Sequence, residues 1–271
     1  MSDFSACFLL VFAQLAVGGF AALAVPPFGV LERGFYKSSA SVFVACTAAY
    51  LAGRVALGLR PRPVPFGALE AVLWGAFTIA ASIYLASLWT DRVRLRARAY
   101  AATLLLGVLA LAVSGAAYRV GAGLSVAGLF YPLAFLTGAL ALGAVATGML
   151  LGHWYLIDLG LSIVPLRRLF RYFVWTVVVH LAVLGLAIVV IGGGGGGAGP
   201  VAALWREHAA LLAARFLLGP LAALALAWMI DRTLRIPQTM AATGLFYIAI
   251  LFVLVGELLG RLILFRTSLP L

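Results

Sequence analysis

Charge is what this 271-residue sequence has least of: 10% of its residues are Asp, Glu, Lys or Arg, against 65% hydrophobic. Soluble domains carry about 25% charged residues, so a chain this poor in charge could not cover its surface in water. The same shortage excludes disorder, because disordered chains are polar and charge-rich. Cysteine is scarce too. Cys7 and Cys46 both fall inside apolar runs without metal-motif spacing and read as small buried hydrophobes. Long polar stretches are missing, so the sequence holds no soluble domain, and any bulky catalytic apparatus must come from a partner.

What is abundant is apolar length. Mean hydropathy is +1.15, and a membrane crossing needs about 20 apolar residues. Eight runs qualify: Phe4–Val25, Ser41–Leu59, Phe66–Leu88, Ala99–Tyr118, Leu129–Ile157, Phe173–Ile191, Ala209–Ile230 and Ala241–Leu264. Arg, Pro or Gly clusters bound each one and stop the helices. The predicted fold is all-α, a polytopic integral membrane protein forming one transmembrane helical-bundle domain over residues 1–271. The first run follows acidic Asp3 rather than a basic leader, which predicts a retained anchor instead of a cleaved signal peptide.

The net charge of +11 comes from 19 basic residues, of which Lys37 is the one lysine. They cluster in short loops between apolar runs, a topology signal rather than a nucleic-acid surface. One side holds Arg33, Lys37, Arg92, Arg94, Arg96, Arg98, Arg167, Arg168, Arg171, Arg232 and Arg235; the other holds Arg60, Arg62, Arg119, Arg206 and Arg266. The richer side is expected to be cytoplasmic, with both termini periplasmic in a bacterial inner membrane. The Gly192–Gly197 run lacks the Lys and Ser/Thr of a phosphate-binding loop and reads as a flexible connector.

Ionisable groups within spans cost about 2.5–3.5 kcal/mol each at a helix centre, so they are the informative residues. They are Arg54, Glu70, His153, His180, Arg215, Glu257 and Arg261. No span carries a chain of acids of the kind an ion pump uses. His153 follows Gly148 and Gly152, whose four-residue spacing allows a close helix approach, and precedes Trp154 and Tyr155. With the sixth helix starting near Phe173, His153 and His180 fall at comparable depth on adjacent helices. Three readings stand: a bis-imidazole haem b site, a quinone site in which His153 bonds a quinone oxygen while Trp154 or Tyr155 packs the ring, and plain interhelical hydrogen bonding. His208, beside Arg206 and Glu207, reads as solvated in an exterior segment.

Glu257 and Arg261 are four residues apart and can pair on one helix face, as a structural ion pair or as a proton-conducting or ligand-binding carboxylate. Glu70 can pair with Arg60 or Arg62, or accept a proton at a site open to the outer side. Arg54 and Arg215 carry no further signal.

Several stretches resemble a known family. Phe12-Ala-Gln-Leu-Ala-Val-Gly-Gly-Phe20 resembles the first helix of the membrane anchor of dimethyl sulfoxide reductase, and Val255-Gly-Glu-Leu-Leu-Gly-Arg261 its last. Tyr131-Pro-Leu-Ala-Phe-Leu-Thr137 and Met149-Leu-Leu-Gly152 resemble its fifth. Anchors of this type, like the related polysulfide reductase subunits, have eight spans with both termini periplasmic and bind quinol within a four-helix core. The resemblance implies a quinol- or quinone-interacting subunit (menaquinone or ubiquinone) of a respiratory oxidoreductase complex, anchoring an iron–sulfur subunit and a catalytic reductase subunit. It gives Glu70 the role of proton acceptor. The family's His-Leu-Gly-Ser-Pro stretch reads Ala56-Leu-Gly-Leu-Arg-Pro61 here, so a quinol-associated His is missing. The competing expectations are a small-solute transporter with Arg54 and Arg215 facing a cavity, and a haem b anchor using His153 and His180.

Overall fold

The computed structural model describes residues 2–58, 66–119, 125–158, 160–192, 199–236 and 238–271. Arg60, Arg62, residues 193–197 and the side chain of Asp3 lie outside the described residues. The helices are α1 (Ser2–Ala22), α2 (Arg33–Ala56), α3 (Phe66–Ser87), α4 (Val93–Ala116), α5 (Val126–Trp154), α6 (Val164–Gly192), α7 (Pro200–Phe216), α8 (Ala222–Arg235) and α9 (Thr239–Thr267). A π-helical turn, Leu217–Leu221, joins α7 to α8, so that among the described residues nine α-helices make eight apolar spans. No strand occurs among the described residues.

The bundle is built around two helices. In α1 and α5, 67% and 72% of the apolar window is buried, against 28% to 44% in the other six spans, so those two form the centre and the rest surround them. Small residues make this possible. Gly18 of α1 and Gly143 of α5 face each other so closely that a Cβ on either would strike the opposite backbone; such contacts drive helix association where lipid removes the hydrophobic incentive. On the outside, Val72, Ile79, Leu105, Val189 and Leu251 are each more than 60% exposed. Apolar surface this extensive is lipid-facing surface, and the chain is a multi-pass integral membrane protein in contact with the bilayer.

The helices on the arginine-rich face begin earlier than the apolar runs do. α2, α4 and α6 start at Arg33, Val93 and Val164, taking in basic residues expected in loops. Arg is a good helix former, and its long side chain reaches the headgroups from a helix end. Loop contacts hold this face together: Arg33 pairs with Asp91 at 2.8 Å, and Lys37 lies 4.7 Å from the Trp89 ring.

The seventh span departs most from expectation. It runs from Pro200 to Arg235, bends at His208 (φ −138°, ψ 34°) and breaks at Gly219 (φ −83°, ψ −108°). Pro220 causes the break at Gly219, since proline offers no N–H and pushes the preceding residue out of helical geometry. His208 is a half-buried helix residue at the bend, next to exposed Arg206 and Glu207.

Candidate functional site

Half-way through the membrane, four side chains converge on Glu257. Arg215 of α7 donates through Nη2 to its Oε1 at 2.7 Å, and His180 of α6 places Nε2 2.9 Å from the same oxygen. Gln14 of α1 donates through Nε2 to Oε2 at 2.9 Å and to the Phe135 carbonyl of α5 at 3.1 Å. Arg261, one turn further along α9, reaches Oε2 at 3.4 Å, and its guanidinium lies 4.0 Å from the centre of the Phe135 ring. All five side chains are buried. Gln14 stands about 18 Å along α1, and Glu257 about 15 Å before the end of α9, at 1.5 Å per residue. Gly138 makes the room, because a Cβ there would run into the Glu257 carboxylate.

The charges do not balance. Two guanidiniums face one carboxylate, and Arg215 Nε, Arg261 Nε, Arg261 Nη1 and Gln14 Oε1 are buried without a hydrogen-bond partner. The histidine adds a conflict. Thr137 donates its hydroxyl to the Leu133 carbonyl at 2.8 Å, so it accepts from His180 Nδ1, also at 2.8 Å. With the hydrogen assigned to Nδ1, a neutral ring accepts from Arg215 Nη2 at 2.8 Å through Nε2, while a charged ring donates from Nε2 to Glu257. Both contacts cannot be satisfied at once, which makes the group a place where one proton can be held or released. Beside it lies a cavity of about 10 Å³ lined by His180, Arg215, Gly219, Pro220 and Glu257, among others, about the space of one water molecule. The broken seventh span forms one wall.

A second carboxylate sits near the opposite face from the arginine-rich one. Glu70, about 6 Å into α3, accepts from Ser114 Oγ of α4 at 2.6 Å and lies 3.2 Å from Arg54 Nη1 of α2. Trp74 Nε1 donates to Ser114 Oγ at 3.0 Å, Arg54 donates to the Tyr50 hydroxyl at 2.8 Å, and the Tyr50 and Trp74 rings are 4.6 Å apart. The described partner of Glu70 is thus Arg54; the expected alternatives, Arg60 and Arg62, lie outside the described residues.

His153 and His180 are not brought together. His180 bonds Thr137, which stands sixteen residues before His153 on α5, or about 24 Å along the helix. The expected match in depth fails because α6 begins at Val164, not near Phe173, which carries His180 further into the membrane. A haem iron cannot take both imidazoles. His153 is exposed, with Nδ1 3.4 Å from the Tyr247 hydroxyl, because Gly148 and Gly152 take the α5 face that meets Phe246 and Thr243 of α9. His153 thus stands at the surface of the bundle beside Tyr247 rather than in its buried core. Trp154 packs against Phe35. Tyr155 closes the α5–α6 loop by donating its hydroxyl to the Ser162 carbonyl at 2.6 Å, and burial pushes its pKa up to about 12.

Residues the sequence did not single out as site residues complete both groups: Gln14 and Thr137 around Glu257, and Ser114, Tyr50 and Trp74 around Glu70. Gln14 carried the available signal, as a lone amide inside an apolar run. No protein-family model matches the chain, and no curated protein matches it. Fold and site together define a multi-pass membrane protein with a polar, partly charged core.

Proposed function

We propose that this chain is the quinone-interacting membrane subunit of an oxidoreductase complex, of the dimethyl sulfoxide reductase and polysulfide reductase anchor type, docked to an iron–sulfur subunit. One observation carries the reading. Three stretches that resemble the helices of such anchors, separated by as many as 243 residues, meet in the Glu257 group: Gln14 from the first, Phe135 and Thr137 from the second, Glu257 and Arg261 from the third, with His180 and Arg215 joining from outside them. A short apolar resemblance arising by chance has no reason to bring its polar residues together.

Glu70 is the proton acceptor in this reading. It has the acceptor oxygen and a cation in Arg54 to stabilise its charge, and the buried Tyr50 and Trp74 rings belong to the same group. Quinol supplies two electrons, passed to the partner's clusters, and two protons. The chain's residues orient the ring and take up the protons, and the Glu257–His180 pair holds a proton in mid-membrane. The test is titration of the purified protein with a fluorescent quinol analogue. Saturable quenching that Glu70→Gln abolishes is expected; no saturable binding, or unchanged binding in Glu70→Gln, overturns the reading.

A second reading, transport of a small anion, has its own observation: the helix break at Gly219–Pro220 beside Arg215 and the small cavity, the arrangement of discontinuous helices around a mid-membrane site. Anion uptake into proteoliposomes holding this chain alone favours it over the first.

A further inference from the structure

A cleft unrelated to either carboxylate opens between α6 and α8 on the arginine-rich face. Two adjoining hollows of about 310 and 350 Å³ share Phe170, Arg171 and Asp231. The outer one is rimmed by Arg167, Arg171 and Arg235; the inner one is floored by Val174, Leu224 and Ala227 and flanked by Trp175 and Trp228. The two tryptophans are 68% and 63% exposed, at the depth where indole rings anchor to a membrane interface.

The rim is unbalanced in charge. Arg167 donates to the Leu234 carbonyl at 2.8 Å at the end of α8, and Arg235 pairs with Asp231 at 2.7 Å. Arg171 has no ionic or hydrogen-bonded partner among the described residues. Three guanidiniums therefore face one carboxylate, and an anion placed between Arg171 and Arg235 would neutralise the excess. The apolar floor lies about one to two turns deeper in the membrane than the rim. A water-soluble acidic protein cannot follow it there, whereas an acyl chain can.

We propose that this cleft binds an anionic phospholipid, with its phosphate between Arg171 and Arg235 and an acyl chain along Val174, Leu224 and Ala227. Basic pockets between helices on one membrane face recognise such headgroups. The proposal does not rest on the quinone reading and survives its failure.

The experiment is native mass spectrometry of the intact protein equilibrated with equal amounts of phosphatidylglycerol and phosphatidylcholine of identical chains. The wild type is expected to retain phosphatidylglycerol about tenfold or more over phosphatidylcholine. Arg171→Ala with Arg235→Ala should bring the two lipids to parity. Arg171→Lys with Arg235→Lys should keep most of the preference, as should Arg98→Ala, which removes an exposed charge at the start of α4. Equal retention by the wild type, or an undiminished preference in the double alanine variant, overturns the proposal. So does displacement of the lipid by millimolar inorganic phosphate or by polyglutamate, which would mark the cleft as a site for a free anion or an acidic protein.

Discussion

Two carboxylates lie inside this bundle, and their surroundings are opposites. Glu257 is 2% exposed, meets partners from α1, α6 and α7 as well as its own helix, and stands beside two buried cations. Glu70 is 7% exposed, meets partners from α2 and α4, and its cation Arg54 is 17% exposed. The difference teaches where each can act. A charge in mid-membrane without solvent relaxation must be matched by its neighbours, so the Glu257 group ties the bundle together. A charge one turn from a membrane face can exchange protons with water, which is what a quinol-side acceptor needs.

The largest test of that contrast is Glu257→Gln. It leaves Arg215 and Arg261 buried without a counter-charge, a loss of about 3–5 kcal/mol when one partner of a buried pair is removed. Thermal unfolding in detergent should show it, and adding Arg215→Met should restore part of the loss. Next come the glycines near each carboxylate. Gly138→Ala drives a methyl group into the Glu257 carboxylate and should destabilise by about 1–3 kcal/mol, as overpacking does. Gly75→Ala on α3 meets nothing within 4 Å and should be neutral or stabilising by about 0.5–1 kcal/mol, since alanine is the better helix former. Glu70→Gln should have the smallest destabilising effect, about 1 kcal/mol, because Ser114 keeps an oxygen to donate to and Arg54 keeps Tyr50. Equal losses from Glu70→Gln and Glu257→Gln would erase the contrast.

Much of this fold was legible in the sequence. Eight apolar runs predicted eight spans because a bilayer imposes length and hydropathy on every crossing, and Gly148 and Gly152 marked the stripe of α5 that meets α9. Helix starts were less legible. Arginine is polar by composition yet helical by propensity, so α6 extended nine residues before the expected Phe173 and took His180 out of register with His153. The pairing of Glu257 with Arg261 followed from spacing, but its 3.4 Å separation makes it the weaker of the contacts Glu257 forms with arginine. The stronger one, to Arg215, depends on how α7 packs on α9, and spacing along one helix carries no information about that. Gln14 and Thr137 lie within apolar motifs, while their role arises from convergence of distant helices.

Photolabelling tests the functional claim most directly. A light-activated azidoquinone, irradiated with the purified protein and mapped by peptide mass spectrometry, should label α2, α3 and α4 around Tyr50, Trp74 and Ser114, with excess unlabelled quinone suppressing the signal. Label spread over the lipid-facing surface and indifferent to competition would contradict a quinone held against Glu70.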